Sequence, residues 1–309
     1  MPGRVRIGIS GWTYKPWRGK FYPAGLPQKK ELSYAASLFP SIEINGTHYS
    51  LQTPASFQHW AAETPEDFIF SIKASRYITH MRKLRDIEQP LANFFASGLL
   101  ALGPKLGPIL WQFSPRFVFD EAKLDAFFSL LPHTTAAAAE LARNHDARLK
   151  GRAFIDPGPR SRPMRHAIEV RHDSFRSPGF IRLLRRHRIA LVCADTVEWP
   201  RLMDLTSDFV YCRLHGSEVL YTNGYTPGDL DLWAARVATW ANGGEVPRDP
   251  IENGAPVNGY ASSAPARTRA LRDVYVYFDN DAKVYAPVDA QSLASRVNAL
   301  LGSEPAPGT

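Results

Sequence analysis

The sequence predicts an α/β protein, a single TIM-type (β/α)8 barrel with two surface insertions, and three observations carry that expectation. Short apolar runs of strand length recur at 4–10, 41–44, 68–72, 107–110, 167–170, 190–194, 209–214 and 274–278. Stretches with the spacing of amphipathic helices separate most of them, at 28–38, 54–63, 90–100, 120–131, 178–187, 229–240 and 288–301. Polar residues gather where the apolar runs end. A strand followed by a helix, repeated in series, closes a parallel barrel, and the carboxyl ends of the strands then share one mouth.

Side chains alternate between the two faces of a strand, so each run assigns its polar residues to a face. The first run leads into Gly11 and Trp12, and the second puts Glu43 on the same face as Asn45. The third aligns Ser71, Lys73 and Ser75, with Arg76 following, and the fourth gives way to Trp111 and Gln112. The fifth pairs Glu169 with Arg171 ahead of His172, and the sixth ends at Asp195, on the face of Cys193. The seventh joins Arg213 to His215 with Cys212 opposite, and the eighth ends at Asn280 and Asp281.

Among the helices, 54–63 carries the plainest start, with Thr53 as N-cap and Pro54 in the first turn. Phe57, Trp60 and Ala61 form its apolar stripe, so Trp60 reads as core. Arg182, Arg185, Arg186 and Arg188 read as a solvated outer face. The crossover between Asp195 and Phe209 is short. Two segments break the rhythm: 132–163, with an alanine run and a Pro/Gly/Arg stretch, and 243–268, rich in Pro, Gly, Asn and Ser. Both read as surface insertions into one domain spanning 1–301, the second on the amino-end side of the barrel, and 302–309 reads as a flexible tail.

A length of 309 residues at 44% hydrophobic content suits one barrel. No apolar run is long enough to span a membrane, and the chain runs straight into its first strand, so the expected location is cytoplasmic with no membrane partner. Cys193 and Cys212 are expected on opposite faces, buried and not joined. The formal net charge of +7 fits an anionic small molecule or nucleic acid as partner.

Several segments carry a family resemblance. They are Gly8-Ile9-Ser10-Gly11-Trp12-Thr13-Tyr14, Phe21-Tyr22-Pro23, Glu43-Ile44-Asn45, and the run from Phe70 through Ser71-Ile72-Lys73-Ala74-Ser75-Arg76 to Tyr77-Ile78-Thr79-His80. Further along stand Glu169-Val170-Arg171-His172, Ala194-Asp195-Thr196, Tyr211-Cys212-Arg213-Leu214-His215-Gly216 and Tyr277-Phe278-Asp279-Asn280-Asp281. Together they resemble the YecE-like family, also called domain of unknown function 72, from residue 4 to about 301 with the two insertions as departures. The resemblance implies a β/α barrel of the broad class that includes xylose isomerase-like and endonuclease IV-like folds. It implies no reaction, since the family has no settled activity.

The mouth offers several chemistries. Glu43, Glu169, Asp195 and His215 form a donor set suited to Mg, Mn or Zn, which would polarise a phosphoryl oxygen or supply hydroxide. Against this stands an ion-pair network in which Lys73, Arg171 and Arg213 neutralise the same carboxylates. Glu43 and Glu169 also suit the paired carboxylates of glycoside hydrolysis. Lys73 suits a Schiff base if desolvated, with pairing to Glu43 as the structural alternative. His215 lies where barrels build phosphate sites, whereas His172 and His80 read as loop histidines. Aromatic residues at the rim, Trp12, Tyr14, Trp17, Tyr22, Tyr49, Tyr77, Tyr221 and Tyr225, are interleaved with Lys15, Arg18, Lys20, Arg76, Arg82 and Lys83. Trp12 and Trp17 equally suit a packed lid over the first loop.

The expected function is an enzyme acting on an anionic, phosphate-containing ligand, with metal-assisted phosphodiester hydrolysis as the leading reaction. Its catalytic candidates are Glu43, Lys73, Glu169, Asp195 and His215. Its ligand-binding candidates are Trp12, Tyr14, Asn45, Tyr49, Arg76, Gln112, Arg171, His172, Arg213, Tyr221, Asn280 and Asp281. A sugar isomerase or glycoside hydrolase and a non-catalytic nucleic-acid or partner-binding module are the alternatives.

Overall fold

Eight parallel strands close on themselves in chain order: β1 (Val5–Ser10), β2 (Ser41–Ile44), β3 (Ile69–Lys73), β4 (Leu106–Gln112), β5 (His166–Glu169), β6 (Ala190–Asp195), β7 (Phe209–Leu214) and β8 (Asp273–Phe278), with β8 pairing back to β1. The computed structural model describes residues 1–196, 198–216, 224–246, 270–280 and 284–302, together with the backbone of Ile251–Glu252 and Ala255–Pro256. Helices α1 (Glu31–Leu38), α2 (Gly46–Tyr49), α3 (Pro54–Ala62), α4 (Glu88–Ala96), α5 (Glu121–Leu130), α6 (Thr135–Ala142), α7 (Pro178–His187), α8 (Pro227–Ala241) and α9 (Tyr285–Leu301) lie between and after the strands.

The pleat divides the apolar residues into two sets. Leu110, Ala167, Ala190, Val192, Ala194, Phe209, Tyr211, Tyr275 and Tyr277 cluster inside the barrel. Ile42, Phe70, Trp111, Ile168, Cys193, Cys212 and Phe278 join the layer between sheet and helices. Within the barrel the Tyr277 hydroxyl lies 2.6 Å from Ser41 Oγ and 2.8 Å from Ser71 Oγ, a polar layer beneath the mouth. β1 comes so close to β2 that a Cβ on Gly8 would sit 1.9 Å from the Ser41 carbonyl oxygen, which fixes glycine there.

Two sequence expectations need correction. Within the expected insertion at 132–163, the alanine run forms α6, capped by the Thr134 side chain and burying Ala138, Ala139 and Ala142 beside α4. Alanine is the best helix former and lets two helices approach closely, so a low-complexity run here is packed structure. Cys193 and Cys212 are buried free thiols, as expected, but they are register neighbours on the same outward face rather than on opposite ones. Asp195 shares that face, because Val192 and Ala194 are the residues β6 turns inward. Of the expected insertion at 243–268, most lies outside the described residues, as does the tail from 303. Among the described residues no helix is long and apolar enough to cross a membrane.

Candidate functional site

Arg213, the inward residue near the end of β7, organises the mouth. It is fully buried and meets carboxylates at the ends of three other strands, Asp279 lying one residue past β8. Nε and Nη2 donate to Glu43 at 3.1 and 2.9 Å, Nη1 donates to Glu169 at 2.7 Å, and Nη2 donates to Asp279 at 2.6 Å. Glu43 also accepts from the Ser10 hydroxyl at 2.8 Å and the Tyr211 hydroxyl at 2.6 Å. Burial opposes the Arg213 charge, but Asp279, Glu43 and Glu169 override it and keep the guanidinium protonated. Burial would likewise raise Glu169, yet Arg171 and Arg213 hold it well below the usual carboxylate range. Asp279 follows the same pattern, with burial opposed and outweighed by Arg213 and His215.

Around this hub the remaining polar groups are graded from paired to open. Arg171 Nε donates to Glu169 at 2.6 Å, and its guanidinium lies 3.9 Å from the Trp199 ring centre, a desolvated cation–π contact. His215 sits with Nδ1 3.2 Å from Asp279 and its ring edge-on to Trp199, and burial lowers its pKa against the pull of Asp279, which favours the neutral imidazole. Lys73 ends β3 on the inward face at 8% exposure, and among the described residues no hydrogen bond or ion pair reaches its Nζ. Thr47 Oγ1 donates to the Lys73 carbonyl at 2.7 Å, so the backbone under the amine is fixed while the amine is not. Burial first, and then Arg213, push this amine toward its neutral form, against the pull of Asp279, Glu43 and Glu169.

Two histidines flank Lys73. His48 has Nδ1 2.8 Å from the Ala74 carbonyl, its ring lies edge-on to His80 at 5.3 Å, and burial with the field of Lys73 pushes its pKa down to about 3. Burial and then Arg171, Lys73 and Arg76 lower His80 to about 4. The charges of Arg171, Lys73 and Arg76, from the ends of two strands, are thus all felt at His80. Arg76 is exposed, stands 5.8 Å from the Tyr49 ring, and makes no ion pair among the described residues.

The expected site residues divide accordingly. Glu43, Lys73, Glu169, Arg171, Arg213 and His215 do face the mouth. Gln112 does too; it is buried, its register partner is Glu169, and its Oε1 has no partner among the described residues. Asp195 does not: it faces the helices, accepting from Arg201 Nη1 at 2.7 Å and from Trp233 Nε1 of α8 at 3.0 Å. The four expected metal ligands therefore fail to meet, and among the described residues no three His, Cys, Asp or Glu side chains form a cation site. Asn280 also points outward, donating to Asp289 of α9 at 2.8 Å; its neighbour Asp279 is the inward residue. Asn45 lies just past the strand with helical φ and ψ at the start of α2, so alternation with Glu43 ends there.

Asn45 instead lines a cavity of about 290 Å³ with Trp12, Tyr14 and Trp60. The Tyr14 hydroxyl donates to the Ser10 carbonyl at 2.5 Å, and Trp17 and Tyr22 are buried beneath, so the first loop is a packed aromatic lid. Tyr49 is exposed at the rim, and His172 caps a short 3-10 turn by accepting from the Ser174 amide at 3.1 Å. Tyr221 and Asp281 lie outside the described residues. Sequence reasoning missed Asp279, Tyr211, Ser10 and His48; strict alternation from Tyr275 through Tyr277 was the signal that marks Asp279. A larger cavity, about 580 Å³, opens at the amino ends of the strands, but its Arg165 is held by Asp208 and Asp273. That end of a barrel is where stability rather than chemistry is built.

The family model described as "Protein of unknown function DUF72" matches residues 6–251. UPF0759 protein YunF of Bacillus subtilis is 29% identical over 118 residues, which are 37% of this chain and 41% of that protein. UPF0759 protein YecE of Escherichia coli is 27% identical over 113 residues, 37% of this chain and 39% of that protein. The match thus spans about two fifths of the length of these curated relatives. The crystal structure of a DUF72 family protein from Thermotoga maritima is similar with a TM-score of 0.66 at 22% identity, covering 96% of this chain and 99% of that one. One from Enterococcus faecalis gives 0.62 at 17% identity, covering 95% of each. These structures share the fold with this chain.

Proposed function

The chain belongs to the DUF72 family of proteins of unknown function, and from that premise we propose that it is a barrel enzyme acting on a small anionic, phosphate-containing ligand at the mouth. The observation that carries this reading is the contrast between two groups of cations. Arg213 is saturated by carboxylates, while Lys73 and Arg76 have no carboxylate partner among the described residues, although Lys73 is buried. An ammonium buried at Lys73 without a partner is costly, so the amine rests toward its neutral form, while the exposed Arg76 guanidinium is left for a ligand anion. A phosphate brings several acceptor oxygens and up to two charges, which suits Arg76 after β3 together with Arg171 after β5, beside the Lys73 amine.

The other chemistries are less well supported. Metal-assisted phosphodiester hydrolysis through Glu43, Glu169, Asp195 and His215 lacks an assembled ligand set, since Asp195 faces the helices and Arg213 engages both glutamates. Glycoside hydrolysis needs one carboxyl kept protonated, whereas Glu169 and Asp279 are held ionised. A nucleic-acid surface is weakened where rim arginines are already paired, Arg18 with Glu31 and Arg82 with Asp86.

Titration of the purified protein with inorganic phosphate tests the reading. The expected result is saturable binding that weakens with added salt and falls at least tenfold, about 1.4 kcal/mol, in the Arg76→Ala, Arg171→Ala double variant. Unchanged phosphate affinity in that folded variant removes the reading.

A further inference from the structure

We propose that Lys73 forms an imine with an aldehyde or ketone carbon of the ligand, so that the substrate class is a small phosphorylated carbonyl compound. This rests on the anion-binding reading for the phosphate, which Arg76 and Arg171 would hold, and adds a covalent role for the amine. Three observations carry it. The amine is at a barrel strand end, inward and 8% exposed, with no hydrogen bond or ion pair among the described residues. The carboxylates that would hold it as an ammonium are already engaged: Glu43 by Ser10, Tyr211 and Arg213, Glu169 by Arg171 and Arg213, and Asp279 by Arg213. Gln112, on the inward face of β4 two residues past Leu110, the register partner of Lys73, offers a buried Oε1 that meets no partner among the described residues.

Burial and the neighbouring Arg213 favour the free amine, and a cation beside a desolvated lysine is a known means of activating it as a nucleophile. The nitrogen lone pair adds to the carbonyl carbon, a C–N bond forms, and the C=O π pair moves to oxygen. That oxygen takes up a proton as nitrogen gives one up, which yields a carbinolamine whose hydroxyl Gln112 Oε1 can accept. Departure of the hydroxyl as water, with the second amine proton, leaves the imine. No oxidant or reductant is needed. Protonation of the imine restores a cation at Lys73 and makes it an electron sink for breaking a bond at the adjacent carbon.

The test incubates the intact protein with glyceraldehyde 3-phosphate, reduces with borohydride, and maps the adduct by peptide mass spectrometry. Glyceraldehyde without phosphate and the Lys73→Arg variant, which replaces the nucleophilic amine with a guanidinium, run in parallel. The expected result is labelling of Lys73 at least tenfold faster than of any other lysine, slowed by inorganic phosphate and absent from the folded variant. Phosphate binding without preferential labelling of Lys73 overturns the imine and leaves the anion site standing. Preferential labelling by both aldehydes that phosphate does not slow supports the imine and removes the anion site instead.

Discussion

Removal of the guanidinium of Arg213 would strand Glu43, Glu169 and Asp279 in a buried, water-poor space. The expected cost of Arg213→Met is about 3–5 kcal/mol at pH 7 by urea unfolding, the range for breaking a buried ion pair from one side. Lys73→Met should behave in the opposite way. An amine with no partner among the described residues contributes little to the fold, so unfolding free energy should stay within about 0.5 kcal/mol or rise, while phosphate-dependent labelling is lost. A loss of several kcal/mol would show that Lys73 is a structural member of the network. The identities of both residues were legible in the sequence. Their different states were not, because pairing depends on carboxylates brought from β2, β5 and β8.

At the scale of elements, the pleat decides which residues reach the mouth. The eight runs read from the sequence coincide with the strands to within about two residues, as hydrophobic runs bounded by polar residues should. β6 faces opposite to the sequence expectation, with Asp195 and Cys193 turned toward the helices. Asp195→Ala should therefore lower stability by about 1–3 kcal/mol, the cost of removing the acceptor of Trp233 Nε1 and one ion-pair partner of Arg201, and leave phosphate affinity unchanged. Loss of affinity at full stability would place Asp195 back in the site. Gly8→Ala tests closure of the barrel: a Cβ 1.9 Å from the Ser41 carbonyl forces β1 away from β2. Its expected result is a drop of several kcal/mol or insoluble protein, on the order of severe overpacking.

For the whole molecule, acid should weaken the fold in two stages. His166 is fully buried, accepts from Trp111 Nε1 at Nδ1 and faces the Pro132 carbonyl with Nε2, and burial lowers its pKa to about 4. His48 and His80 are lowered too, to about 3 and about 4. Below about pH 6.5 the unfolded chain binds protons that the native histidines refuse, so stability falls as pH falls toward 4. His166 alone accounts for roughly 2 kcal/mol of loss at pH 5. Glu169 and Asp279 titrate below their unfolded values, so their contribution is complete above about pH 5 and is lost as pH drops further. Urea midpoints at pH 7.5, 5 and 4 check this; a constant midpoint between pH 7.5 and 5 would contradict the buried neutral histidines.

The sequence by itself determined the repeating strand and helix pattern, the closed barrel, the polar mouth and the resemblance to a family, because periodicity and turn chemistry are local properties of the chain. Only the tertiary structure decided that Asp279 reaches Arg213 while Asp195 turns to the helices, that Asn45 leaves the strand face, and that the alanine run packs as α6. It also decided that Lys73 is left beside three engaged carboxylates. Those outcomes depend on register and on contacts between strands far apart in sequence, and a local pattern carries no record of either.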